Sequence, residues 1–172
     1  RQFGFDSDYS KLAAANDVVI LKGSELDTNS GHFLVFGVTR ELTNRVDFTD
    51  VSMDAVELIR TVGDTGGIAV PAHPGRFGIG LYEFILNGAD FSTVKVVERL
   101  NGSNRPGEQE RAEELIGRYG YIGTGGSDAH QVSAIGACMT DFERPIATEE
   151  DLVRELASGD FRAVRLEDTK TC

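Results

Sequence analysis

Cysteine is scarce in this chain: it occurs only at Cys138 and Cys172, and neither residue belongs to a Cys-x-x-Cys pair. Two such cysteines cannot make a disulfide framework, so we expect the reducing environment of the cytoplasm. Because the paired spacing is absent, neither thiol redox chemistry nor a cysteine zinc site has support in the sequence.

Long apolar runs are also missing, and acidic residues far outnumber basic ones. No segment approaches the roughly 20 consecutive apolar residues of a membrane helix, and the polar start at Arg1 does not resemble a secretory signal. The chain carries 17 basic and 28 acidic side chains, a formal charge of −11. Since such a surface repels phosphate backbones, we expect neither a membrane nor bulk nucleic acid as a partner.

Short apolar runs alternate with segments of helical periodicity along the chain. This alternation is typical of β-α-β units, and it predicts one α/β domain over residues 1–172 with mainly parallel strands. Functional loops are then expected at the C-terminal ends of the strands. The predicted strands are 18–21, 33–38, 68–70, 94–97, 121–123 and 161–166. Four helices are predicted: one after a cap at Ser52, one over 81–86, one over 107–119, and one after a cap at Thr148.

Each of the three histidines lies next to a turn beside a predicted strand, and none lies on the apolar stripe of a helix. His130 ends the segment Gly-Gly-Ser-Asp-Ala-His at 125–130, where one residue separates it from Asp128. In an extended segment both side chains project the same way, so both can bind one cation. A glycine-rich turn with an exposed histidine explains these residues equally well.

A second histidine, His73, follows a predicted strand and lies between Pro71 and Pro74. Prolines restrict the local backbone, which suits a ligand whose geometry must be set before the metal arrives. A structural turn would favour the same prolines. Arg76 follows three residues later and can present a planar fork to a phosphate, although a solvated surface arginine is the commoner role.

The third histidine, His32, precedes the second predicted strand, and Glu25 follows the first. A hairpin-like loop would bring both side chains to one end of the sheet. A glutamate has two oxygens and can bridge two cations about 3.5–4 Å apart, as in two-metal hydrolysis. Asp27 is a weaker candidate, because Asp-Thr-Asn-Ser is also an ordinary turn sequence.

In this order, the three segments resemble the PHP family, named for polymerase and histidinol phosphatase. The resemblance rests on Glu25 with Gly31-His32, on the Pro-Ala-His-Pro around His73, and on Ser-Asp-Ala-His at 127–130. It extends over roughly 18–165. Gly136, Thr140 and Phe142 of this chain resemble the strand and loop that follow the last motif in the small-phosphoesterase branch of the family.

The resemblance implies a distorted (β/α)7 barrel with one to three divalent metals, zinc, manganese or iron, at its C-terminal face. It implies a phosphoesterase in which a metal-activated water attacks a small phosphorylated substrate. Metal identity stays open, because imidazole and carboxylate ligands accept all three. The implied metal ligands are Glu25, His32, His73, Asp128 and His130, and the predicted catalytic residues are Glu25, Asp128 and Arg76.

One feature of the family pattern is missing from this sequence. Family members open with a His-x-His pair and a later Thr-Asp-His stretch, whereas nothing of that kind precedes Val18. We therefore expect a barrel that is incomplete at its N-terminal edge, with weakened metal affinity. Because an exposed sheet edge tends to pair with another chain, we also expect a homodimer through that edge.

Two other functions fit the same residues. A non-catalytic metal-binding or regulatory PHP module would also lack the first ligand pair. An unrelated α/β domain with incidental histidines would bind no metal.

Overall fold

The computed structural model describes residues 9–169, and Arg1 and Cys172 lie outside that range. Within it, strands and helices alternate over most of the chain. The strands are β1 (Gly23–Thr28), β2 (Gly31–Phe36), β3 (Ile68–Pro71), β4 (Val96–Asn101), β5 (Ile122–Gly126), β6 (Cys138–Phe142) and β7 (Phe161–Arg165). The α-helices are α1 (Ser10–Asn16), α2 (Arg40–Arg45), α3 (Ala55–Asp64), α4 (Leu81–Leu86), α5 (Glu108–Tyr119), α6 (Glu149–Ser158) and α7 (Leu166–Thr169).

The strands form three small sheets, and the expectation of mainly parallel strands is wrong. In residues 9–169, β1-β2-β3 and β6-β7 pair antiparallel, and β4-β5 is the one parallel pair. The first pair has a simple cause. Two residues separate β1 from β2, and Gly31 adopts a φ of 102°. Parallel neighbours need a crossover of a dozen or more residues, so this connection makes a hairpin.

The mixed α/β architecture is confirmed, but the described strands do not close into a barrel. Side-chain hydrogen bonds, rather than ladders, connect the sheets. The His73 N–H donates to Glu98 at 2.7 Å, which ties the end of β3 to β4. The Gly125 N–H donates to Thr140 Oγ1 at 3.0 Å, which ties β5 to β6.

The predicted first strand at 18–21 is wrong. Val18 and Val19 are exposed, and β1 begins five residues beyond Val18, at Gly23. The hairpin register explains the shift, because Gly23 already pairs with Phe36, the last residue of β2. Strand β1 pairs only with β2 among residues 9–169, so its other edge is open and the homodimer stays a prediction.

The core lies between the first sheet and the helices packed on it. Alternation along the hairpin sends Leu26, Phe33 and Val35 into this core, where they pack with Val62 of α3 and Leu115 of α5. The opposite face of the hairpin carries polar side chains. One short hairpin therefore serves both the core and the candidate site.

Most helix predictions hold, with small changes at the ends. Helices α4 and α5 match their predictions, and α6 begins after the predicted cap at Thr148, which forms a capping box with Asp151. Helix α3 is capped by Asp54, whose side chain accepts the Glu57 N–H, rather than by Ser52. Among the helices of residues 9–169, none is long and apolar enough to cross a membrane.

Candidate metal centre

The β1-β2 hairpin places three polar side chains on its outer face. Asp27 pairs directly with His32 in the antiparallel register, and Glu25 lies two residues before Asp27. Since strand side chains alternate with a period of two, Glu25 and Asp27 point to the same side. His32 therefore lies beside both carboxylates.

His73 reaches the same point from the end of β3. The Ala72 N–H donates to the His32 carbonyl at 2.9 Å, so the two backbones run side by side up to the histidine. His73 then turns with a φ of 30°, a left-handed conformation that is rare outside glycine. Its side chain is 1% exposed. The turn directs a buried imidazole toward the hairpin.

Glu25 is the meeting point of the two histidines. Its Oε1 lies 3.0 Å from His32 Nδ1 and 3.1 Å from His73 Nε2. The imidazole rings meet edge to face, with centroids 5.0 Å apart. One ligand atom from each of these three residues lies within 4.8 Å of the others. We call Glu25, His32 and His73 the donor triad.

The donor triad fits a divalent cation. A carboxylate and two imidazoles are ligands that zinc, manganese and iron accept. His32 Nε2 lies 3.2 Å from Asp27 Oδ1, so Asp27 can hold the ring while Nδ1 faces Glu25. His73 Nδ1 is buried without a hydrogen-bond partner in the described residues, and its Nε2 faces Glu25.

Positive charge is favoured within the triad. Hydrogen bonds from His32 and then His73 hold the pKa of Glu25 far below its ordinary value, despite some burial. The hydrogen bond to Glu25 raises the pKa of His32 against the effect of burial, and the charge of Asp27 adds to the increase. A proton on His32 or a bound metal cation would each meet this demand for positive charge.

This electrostatic arrangement predicts a pH dependence for the metal-free protein. The pKa of His32 is raised in the folded state, so protonated His32 stabilises the fold. This stabilisation is complete below the ordinary pKa of 6.5 and is lost as the pH rises through the folded pKa. The lowered pKa of Glu25 makes its contribution present above 4.5 and lost in acid. Both contributions coexist between these values.

We therefore expect thermal unfolding midpoints of the wild type and His32→Gln to differ most near pH 6 and to converge toward pH 9. Circular dichroism in the presence of a chelator measures both proteins. Subtracting the variant removes the pH dependence of the other acidic groups. A difference that stays constant across this pH range would show that folding does not raise the pKa of His32.

Asp128 and His130 lie outside the donor triad. Asp128 Oδ2 accepts from Arg76 at 2.8 Å and from Asn101 at 3.3 Å. His130 is 82% exposed, and its Nδ1 contacts the Asp128 carbonyl at 2.9 Å. The extended backbone expected around Asp128 is wrong, because Asp128 has a φ of 46°. Their roles as metal ligands stay predictions.

Two comparisons with known proteins bear on the family. A family model described as PHP-associated matches residues 106–161. A phosphoribosyl 1,2-cyclic phosphate 1,2-diphosphodiesterase from Eggerthella lenta is 33% identical over 78 residues, which cover 45% of this chain and 29% of that protein. Both matches support a PHP-domain family for this chain.

A second relative covers more of this chain. An uncharacterized protein from Methanocaldococcus jannaschii is 27% identical over 151 residues, which cover 84% of the chain and 60% of that protein. The alignments therefore span 29% and 60% of the two relatives. The PHP family is metal-dependent, and among residues 9–169 the donor triad is a group that could hold a metal ion.

The sequence analysis missed two residues of the candidate site, Glu98 and Asn101. Both are buried on β4, where Asn101 donates to Glu98 Oε2 at 2.9 Å. One signal was available, since Glu98 directly follows the buried pair Val96-Val97. An acidic residue that interrupts a buried strand requires a hydrogen-bond partner or a functional reason.

A small cavity adjoins the donor triad on the side of Asp27 and His32. Its volume is about 230 Å³, and its lining combines these two polar side chains with apolar ones. The cavity is open to solvent beside the histidine. The other lining residues are Thr28, Gly31, Val51, Ile79 and Phe84.

Proposed function

We propose that this chain is part of a metal-dependent phosphoesterase that hydrolyses a small phosphorylated substrate. The observation that carries the proposal is the donor triad, in which one carboxylate and two imidazoles lie within 4.8 Å of one another. The Eggerthella lenta relative, by its name, cleaves a phosphate diester. Family and donor chemistry therefore support the same reaction class.

Glu25, His32 and His73 would hold the first cation, which we propose is zinc, manganese or iron. When bound, the cation would lower the pKa of a water and neutralise charge on phosphate oxygens. Asp128 and His130 are proposed as donors for one or two further cations. Asp27 Oδ1 lies 3.2 Å from His32 Nε2 and would keep the ring in place, so the chain would supply both ligands and their support.

Arg76 is proposed to bind the phosphate. Its guanidinium is partly exposed and is held by Asp128 at 2.8 Å, so it is oriented before any substrate arrives. A guanidinium has five donors, and Asp128 Oδ2 and Asn101 Oδ1 engage one of its nitrogens. The remaining donors suit the oxygens of a phosphate ester.

The dimensions of the neighbouring cavity and the net charge of the chain favour a small substrate. The neighbouring cavity of about 230 Å³ has apolar walls at Val51, Ile79 and Phe84. The formal charge of −11 opposes a long polyanion. A single phosphate ester on a compact organic group meets both conditions.

Hydrolysis of a chromogenic phosphate mono- or diester tests the proposal. We expect turnover with added Mn²⁺ and none with excess chelator. Arg76→Ala should lower kcat/KM by about 10–100-fold, the loss of a charge-assisted hydrogen bond. Arg60→Ala, an exposed arginine on α3, should leave kcat/KM unchanged.

Two results would redirect the proposal. Mn²⁺ binding without hydrolysis of any ester would favour a non-catalytic or regulatory PHP module. Equal activity of Arg76→Ala and Arg60→Ala would remove Arg76 from the phosphate site while leaving the reaction class intact.

A further inference from the structure

We propose that Glu98 is a positioning residue: one of its carboxylate oxygens anchors the two strained turns that carry His73 and Asp128. The inference uses the proposed function only for the cation. Glu98 and Asn101 belong neither to the sequence motifs nor to the donor triad. Glu98 lies on β4, the strand between these two turns.

Glu98 is unusually placed for a carboxylate. It is 4% exposed, and burial raises its pKa. Burying an acidic group is unfavourable unless hydrogen bonds compensate for the lost water. Glu98 Oε2 has two such bonds, one from the His73 N–H at 2.7 Å and one from Asn101 Nδ2 at 2.9 Å.

The first of these bonds holds a strained backbone. His73 has a φ of 30° and precedes Pro74, and a residue before proline normally prefers an extended conformation. Such a conformation costs roughly 1–3 kcal/mol and persists only when the surroundings enforce it. The Glu98 carboxylate accepts the N–H of this residue, so it fixes the turn that aims the imidazole at Glu25.

The second bond reaches the other strained turn. Asn101 Nδ2 also donates to Asp128 Oδ2 at 3.3 Å, and Asp128 has a φ of 46°. Ser103 Oγ donates to the Asp128 carbonyl at 2.8 Å and adds a second link from the β4 side. Among residues 9–169, the non-glycine residues with positive φ are Asp17, His73 and Asp128, so Glu98 connects two of the three.

A bulge in β4 makes this arrangement possible. Residues 98 and 101 would face opposite sides of a regular strand, because their separation is odd. Glu98 pairs with Thr124 and Leu100 with Gly125, which leaves Arg99 as an extra residue. The bulge brings Glu98 and Asn101 to one side, and bulges often redirect side chains beside functional sites.

Gly126 on β5 leaves room for the carboxylate. A Cβ at this position would come 2.3 Å from Glu98 Oε1. Gly126→Ala would therefore displace the Glu98 carboxylate without removing it. This provides a second variant that acts on the same contact from another strand.

Amide hydrogen exchange of His73 in the metal-free protein tests the anchor directly. We expect exchange at least about 10-fold faster in Glu98→Ala, as expected from losing a hydrogen bond to a charged group. Glu98→Gln keeps an acceptor oxygen and should retain most of the protection. Glu155→Ala is the matched control, because Glu155 is equally buried but lies on α6 away from the site.

Calorimetric titration with Mn²⁺ tests the consequence for the site. We expect Glu98→Ala to weaken binding about 10–100-fold, the usual effect of losing an outer-shell partner. Gly126→Ala should weaken binding in the same direction, Glu98→Gln should recover most of the affinity, and Glu155→Ala should match the wild type. If Glu98→Ala does not fold, Gly126→Ala carries both measurements.

Unchanged His73 exchange in Glu98→Ala and Gly126→Ala would overturn the inference, as would wild-type Mn²⁺ affinity in both. A wild type that binds no Mn²⁺ would instead refute the proposed function. In that case the exchange measurement alone decides whether Glu98 is the anchor.

Discussion

Glu25→Gln is expected to lower Mn²⁺ affinity by more than about 100-fold, beyond the range for an outer-shell residue. Glu25 Oε1 lies within 3.1 Å of a nitrogen on each of two imidazoles, so it is central to the donor triad. The substitution removes the negative charge that would share the cation with His32 and His73. Isothermal titration calorimetry measures the change in affinity.

The control for this experiment is Glu57→Gln. Glu57 is an exposed carboxylate on α3, and its replacement makes the same change in total charge. The control should bind Mn²⁺ like the wild type. Equal affinities of Glu25→Gln and Glu57→Gln would mean that any bound metal lies elsewhere, and the proposed function would lose its main support.

Phe33→Ala is expected to reduce the free energy of unfolding by about 3–5 kcal/mol. Phe33 is fully buried, pairs with Leu26 across the hairpin and lies beside Phe91, with ring centroids 6.2 Å apart. Removing the ring leaves a cavity between the first sheet and its helices. Urea denaturation measures the loss, which is a large share of the 5–15 kcal/mol typical of a domain.

Two variants make the Phe33 result specific. Phe33→Leu fills most of the space and should cost clearly less than the alanine variant, while Val51→Ala, at an exposed position, should stay within about 0.5 kcal/mol of the wild type. A loss below about 1 kcal/mol for Phe33→Ala would contradict the description of this core. Because His32 points to the opposite face, the folded fraction should keep its metal affinity.

The predictions that hold are those that depend on local chemistry. Helical periodicity predicted α5 at 107–119, where Ala112 and Leu115 are buried, and the cap at Thr148 predicted the start of α6. These signals lie within one helical turn, so they need no knowledge of neighbouring strands. The strand predictions at 18–21 and 94–97 were less accurate, because a strand's limits depend on its partner. β4, for example, begins at Val96.

The candidate site was predicted in part for the same reason. Glu25, His32 and His73 were identified from their residue types beside turns, and the structure brings them together. The contacts of Asp128 with Arg76 and Asn101 could not be predicted, because they depend on a left-handed turn. The role of Glu98 was not predicted, because a bulge at Arg99 breaks the alternation of side chains from which the faces of a strand are predicted.

The sequence by itself determined the residue types of the site, most of the longer helices, and the resemblance to the PHP family. Only the tertiary structure decided that the hairpin turns back antiparallel, that β1 starts at Gly23, and that Glu98 joins the turns of His73 and Asp128. Caps and apolar periodicity act over a few residues. Register, bulges and strained turns are set by contacts between segments far apart in the chain.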